Sequence, residues 1–332
     1  MSKILKHIFF VSGFLLVILI LVGILGISLG SSQNNLKDVF QILTGHYEKK
    51  SILTSIIWNI RFPRVILAAI VGAVLSLGGL VFQALLRNSL AEPYILGISG
   101  GSAIGAILGI LAGFARFPGV CICAFIGSMA TLALVLLMGT GESSLKKDSL
   151  LLSGVMINAF CSSVITFLIS LSQNSKIHSI LFWLMGDMSL PDIKQAGLLA
   201  IIVLPCFIII FRLSNVMNIL LMGQEMAQTM GINITAVTLI LLTATSLMVS
   251  VTVSYCGLLG FVGLVIPHLL RLILGPDHRV LVPACLLGGG AYMIFCDLLA
   301  RVLPEQGEMP TGVITAMIGA PLFIYLLKRS KT

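Results

Sequence analysis

Charge is what this sequence has least of. Only 10% of its 332 residues are Asp, Glu, Lys or Arg, where a soluble domain carries about a quarter. Together with 58% hydrophobic residues and a mean hydropathy of +1.12, that deficit excludes a water-soluble globular domain and defines a polytopic membrane protein. Other absences narrow the chemistry. No Gly-x4-Gly-Lys-Ser/Thr occurs, so ATP is not bound through a P-loop. No His-Glu-x-x-His occurs, which removes that route to zinc hydrolysis. Paired carboxylates are missing from the apolar runs, which leaves no evident proton or sodium relay. The seven cysteines include no Cys-x-x-Cys pair and all lie in apolar runs, so they read as small buried hydrophobes, not as metal ligands or disulfides. A transporter with neither a motor nor an ion relay needs an energy source outside its own chain.

What is present is a series of long apolar runs. A single charge at a helix centre costs roughly 2.5 to 3.5 kcal/mol on insertion scales, so charge-free windows mark the spans. Ten follow, at about 8–30, 64–86, 94–114, 118–139, 149–171, 195–212, 233–253, 258–274, 280–300 and 310–327. The charge-free window 226–270 exceeds the about 20 residues that a 30 Å core takes, so it folds back near Ser254 to Gly257. The run Ile177 to Gly186 is too short to span and reads as an interfacial or re-entrant piece. The N-terminal run behind Lys3 and Lys6 superficially resembles a secretory signal. It is too long for an h-region, so it is expected to stay as the first span. Lys146, Lys147, Lys328, Arg329 and Lys331 then favour both termini in the cytoplasm. The net charge of +8 suits anionic lipid headgroups and not nucleic acid, since no soluble basic face exists to track phosphates. Between the first two spans, residues 35–43 are expected to form a surface helix.

One polar island interrupts the lipid-soluble chain, from Leu220 to Ile232. Gly223 and Gly231 bracket room for about two helical turns, with Gly231 where a C-terminal glycine cap sits. Glu225 and Gln228 share one face, and Met226 and Met230 another. So short a helix cannot cross a bilayer. It is either a solvated loop or a handle for a soluble partner.

Other stretches carry narrower readings. Arg61 and Arg64 flank Pro63 at the mouth of the second span, either snorkelling to headgroups or presenting charge to an acidic protein. Gly72, Gly78 and Gly79 place that span inside the bundle, because small residues let backbones approach. Gly97-x-Ser99-x-Gly101 matches a nucleophile-elbow pattern, and His268 is the candidate base for an intramembrane serine protease. Helix packing explains the same glycines. In the fifth span Asn158, Ser162 and Thr166 recur every four residues and share a face, which serves either interhelical hydrogen bonds or a wet path. The preceding loop, with Lys147 and Asp148, lies where such a path would be gated. Asp297 and Arg301 have the i, i+4 spacing of an ion pair. An ion-driven secondary transporter is the second rival reading.

Several blocks together resemble a known family. They are Arg61-x-Pro-Arg64, Gln83, Asn88-x-Leu-Ala91-x-Pro93 with Leu96-Gly97, the segment Gly223 to Gly231, and Gly260-Phe-Val-Gly-Leu-Val-Ile-Pro-His-Leu-Leu-Arg271. Asp277-His-Arg279 and Pro310-x-Gly312 with Gly319-Ala-Pro-x-Phe323 complete the set. In unbroken order over about 60–327, they resemble the FecCD family, the membrane permeases of ABC importers for iron-siderophores, haem and cobalamin, and the resemblance implies an iron-siderophore as the first expected cargo, with haem and cobalamin behind it. The resemblance implies an all-α integral membrane protein of type II importer architecture, with ten transmembrane helices, dimerised with a second copy or a homologue in the bacterial cytoplasmic membrane. It implies two ATPase subunits, which hold the ATP and Mg, an extracytoplasmic substrate-binding protein, and no cofactor on this chain. Carried onto this sequence, Gly223, Gln224, Glu225, Ala227, Gln228, Met230 and Gly231 would form the coupling helix, within 220–232. Arg61, Arg64 and Arg301 would face outward to acidic residues of the binding protein. Asn158, Ser162 and Thr166 would line the path beside the dimer mate. Ser89 stands where the family usually has proline, and Met230 where it has leucine. Lys147 and Asp148 replace the small hydroxyl residues familiar at the gate, so no detailed gating role carries over.

Overall fold

The computed structural model describes residues 3–29, 52–139, 147–189, 192–304 and 307–330; among these no strand occurs. The expected surface helix at 35–43 and most of the loop before the fifth span lie outside the described residues. In chain order the helices are α1 Lys3–Ser28, α2 Ile52–Leu86, α3 Ile98–Leu111, α4 Cys121–Gly139, α5 Lys147–Ser170, α6 Asn174–Leu184 and α7 Ile193–Arg212. They continue with α8 Ser214–Met222, α9 Gln224–Thr229, α10 Ile234–Cys256, α11 Val262–Leu274, α12 His278–Val302 and α13 Thr311–Ser330.

Among the described residues seven helical stretches are long and apolar enough to cross a membrane, lying in α1, α2, α4, α5, α7, α10 and α12. Three shorter apolar helices are α3, α11 and the Thr311–Leu326 part of α13. Each predicted run falls on one of these helices in order. Local chemistry shortens two of them. Before α3, Pro93 opens a 3-10 turn over Pro93–Leu96 and Gly97 takes φ +78°. Before α11, Gly257 ends α10 at φ +73°, and the chain runs unwound to Phe261. The expected fold of the 226–270 window near Ser254 to Gly257 is therefore present. The short apolar run predicted at 177–186 is the 11-residue α6.

In lipid, where tails are as apolar as leucine, close backbone packing holds helices together more than exclusion from solvent does. The hub is α2, which buries 78% of its most apolar window against 6% for α1. It packs chiefly on α12, and also on α10 and α11. Glycine makes that approach possible. A Cβ at Gly72 would overlap the carbonyl oxygen of Gly289, and one at Gly79 that of Gly263. The interior placement expected from these glycines is what the fold shows. By contrast α1 shows Phe9, Phe10 and Phe14 to its surroundings, and α5 shows Phe160 and Phe167.

Candidate functional site

At one end of the bundle the polar island forms the short helix α9, behind the last turn of α8. Gly223, at φ +129° and ψ +158° where other residues are strained, stops α8 and lets α9 turn away. The six-residue α9 closes on Gly231 at φ +77°: the Gly231 N–H donates to Gln228 O (2.9 Å) and the Ile232 N–H to Ala227 O (3.0 Å), a Schellman pair. The glycine cap expected at Gly231 is thus present. Ala227 is fully buried, whereas Glu225, Met226, Gln228, Thr229 and Met230 are exposed. Two exposed methionines offer a polarizable, adaptable contact surface.

Two attachments fix α8, and with it α9, to the long helices. The Arg87 guanidinium, at the end of α2, donates to Leu220 O (2.5 Å). Asn218 donates to the Asp277 carboxylate (2.8 Å) and accepts from the His278 N–H (2.9 Å) at the start of α12. Asp277 is the N-cap of α12, accepting from the Arg279 N–H and pairing with its guanidinium at 2.6 Å. The Arg279 hydrogen bond, helped by Asn218, outweighs partial burial and pulls the Asp277 carboxyl down to about 2. Beneath α9 lies a cavity of about 150 Å³, bounded by Leu85, Leu86, Arg87, Leu220, Gln228 and Ile234.

The opposite end of the same long helices carries a buried ionic junction. Asp297 of α12, with no exposed surface, receives Arg64 Nε of α2 at 2.9 Å and Arg301 Nε at 3.1 Å. Arg64 also reaches Glu308 at 2.6 Å. Arg301 donates to Gly26 O (2.9 Å), and Arg61 to Ile27 O and Ser28 O (3.0 Å each), so two guanidiniums close the C-terminal carbonyls of α1. The expectation that Arg61, Arg64 and Arg301 face outward is corrected here. All three are buried, because the carboxylates and the end of α1 neutralise them inside. The Asp297–Arg301 pair read from its spacing is present.

The polar face of α5 divides. Asn158 donates to Tyr94 O (2.9 Å) and so binds α5 to the turn before α3. Ser162 and Thr166 are exposed, with the Thr166 hydroxyl donating to Ser162 O (3.0 Å). Lys147 and Asp148 begin α5 as helical residues. Ser99 lies in the first turn of α3, which packs on α4 and α5, while His268 lies on α11 against α2, α12 and α13. The His268 ring meets Phe323 edge-on at 5.9 Å, and its nitrogens have no partner among the described residues. No strand-to-helix elbow presents Ser99, and the packing does not bring the two residues together as a dyad.

Sequence reading missed several polar links. Arg116 pairs with the Asp187 carboxylate, and Lys176 donates to Leu111 O (2.7 Å), tying α6 and the segment after it to the α3–α4 connection. Burial pushes the Asp187 carboxyl up, but Arg116 and hydrogen bonds from Ser189 outweigh it and hold it below the usual carboxylate range. Glu92 accepts from the Phe261 N–H (3.3 Å), and Tyr94 Oη donates to Leu259 O (3.2 Å). These partners lie far apart in sequence. Only Asp277, as an N-cap before His278, carried a local signal.

Among the described residues, a bundle of apolar helices with a buried ionic junction, a few interhelical polar bonds and one exposed handle has the make-up of a membrane permease. The chain belongs to the FecCD transport family, which it matches over residues 17–329. It is 40% identical over 276 residues to the vitamin B12 import system permease protein BtuC of Salmonella arizonae, covering 82% of this chain and 83% of that one. The protein of the same name from Klebsiella pneumoniae subsp. pneumoniae is 39% identical over 277 residues, covering 83% of each. Among solved structures, an inward-facing conformation of a metal-chelate type ABC transporter superposes with a TM-score of 0.85 at 30% identity, covering 96% of this chain and 98% of that one.

Proposed function

We propose that this chain is the membrane path of an ABC importer that brings a metal chelate into the cytoplasm, with cobalamin first among the candidates and iron-siderophores and haem behind it. The similarity to vitamin B12 permeases over most of both chains supports that order. In this reading the chain crosses the membrane ten times with both termini in the cytoplasm. It pairs with a second copy or a homologue, receives its cargo from an external binding protein, and rests on two ATPase subunits that hold the ATP and Mg. No cofactor belongs to the permease itself. The helix α9 is the part the ATPase grips. Ser162 and Thr166 on α5 face the path beside the dimer mate, and the loop before α5 gates it. The exposure of α9, on a chain of this family with no nucleotide motif of its own, carries the proposal.

Reconstitution with the ATPase and the binding protein in proteoliposomes tests it. ATP-dependent accumulation of radiolabelled cyanocobalamin, unaffected by excess ferric siderophore or haem, is the expected result. Accumulation of another chelate would reassign the cargo. Uptake that proceeds without the ATPase would overturn the importer reading.

A further inference from the structure

We infer that Arg87 is the positioning residue through which movement of α9 reaches α2, the hub of the bundle. The inference rests on the proposed role of α9 as the part the ATPase grips, and concerns how that part is connected to the rest.

The backbone gives the first observation. Arg87 caps α2 in the left-handed region, at φ +51° and ψ +37°. Its N–H donates to Ala84 O and the Asn88 N–H donates to Gln83 O, the pattern in which helices usually place glycine. Glycine would occupy that conformation without the steric penalty that any Cβ brings. Among the described residues only Arg87 and Phe261 take a positive φ without being glycine. The backbone therefore gives no reason for arginine at this position. The reason lies in the side chain.

That side chain ends on Leu220 O, in the last turn of α8. Because Gly223 breaks the helix at positive φ, the last carbonyls of α8 lack the amides that a continuing helix would supply. A guanidinium at this negative helix end satisfies one of them and matches its dipole. The bond lies three residues before the first residue of the break, immediately ahead of α9.

The packing around α9 supplies the third observation. Of the α9 side chains that are described only Ala227 is buried, and Gln228 borders a pocket of about 150 Å³ whose walls include Leu85 and Leu86 of α2 and Thr238 and Leu242 of α10. Displacement of α9 passes along the chain into α10, on which it packs, and into the end of α8, where the Arg87–Leu220 bond joins the last turn of α8 to α2, and from α2 it reaches α11 and α12. The Asn218–Asp277 link attaches α8 to α12 separately. It keeps α8 in place when Arg87 is changed.

The test compares Arg87→Gly and Arg87→Lys in the full importer, reading cyanocobalamin accumulated per ATP hydrolysed together with thermal stability and ATPase capture. Glycine suits the backbone, so Arg87→Gly should assemble and melt like the native protein. Its transport per ATP should fall about tenfold, the factor expected for one charge-assisted hydrogen bond. Arg87→Lys, which retains a cation, should recover a large part of that loss. Native transport per ATP in Arg87→Gly would overturn the inference while leaving the α9 proposal intact. Failure of both variants to capture the ATPase would also overturn it, by making Arg87 a docking or folding residue. A native protein that shows no ATP-dependent uptake would remove the reading of α9 itself.

Discussion

The two ends of the α2–α12 pair hold charge in opposite ways. At one end Asp297, Arg61, Arg64 and Arg301 are withdrawn from solvent and bound to one another or to main-chain carbonyls. At the other, Glu225 stands exposed on a six-residue helix that touches the bundle through Ala227. Buried charge is costly unless every partner is present, so the first end stays fixed. Exposed charge on a loosely seated helix costs little and remains free to meet another protein. The contrast separates residues that hold the permease together from residues that give it something to be moved by.

The largest expected effect breaks the fixed end. Asp297→Ala leaves two buried guanidiniums without their shared carboxylate, which should cost about 3 to 5 kcal/mol, measured as lost thermal resistance or lost folded protein in detergent. Native-like stability would show that the junction is not structural.

A smaller effect probes the anchor of α8. Asp277→Asn should cost about 1 kcal/mol or less, because asparagine also caps a helix and the ion pair is partly exposed. The folded Asp277 carboxyl lies below its ordinary 3.8, at about 2, so its stabilisation is complete above about pH 4 and is lost as pH falls toward 2. The difference between Asp277→Asn and the native protein should therefore be constant from pH 5 to 8 and shrink in acid. A difference that varies between pH 5 and 8 would point to another titrating group.

The smallest effect on stability belongs to the exposed end. Glu225→Lys should change stability by no more than about 0.5 kcal/mol. It should nevertheless uncouple ATP hydrolysis from uptake in reconstituted vesicles. Unchanged coupling would sharpen the comparison differently, by confining the working contacts of α9 to Met226 and Met230.

Much of this arrangement was legible in the sequence because its signals are local. Gly231 as a cap, Gly257 as a break and the glycines of α2 as an interior stripe each follow from conformational freedom or size at a single position. The burial of the arginines was not legible. Near the end of a span, an arginine that snorkels and one that is paired inside leave the same local pattern, and the partner that decides for Arg64 lies 233 residues away. Asn218 and Asp277, 59 residues apart, were hidden for the same reason. Asn158 was read as one of a matched set with Ser162 and Thr166, yet it alone reaches a neighbouring main-chain carbonyl, since α5 turns that residue inward and the others outward.

The meeting of Gly72 and Gly289 limits how this molecule can work. There main chain meets main chain, with only Ser76 and Met293 side chains close beside it, so the seam has little room to yield by degrees. Cargo cannot squeeze between α2 and α12. A bundle built this way would open around them, and the pair would then move as a single plank.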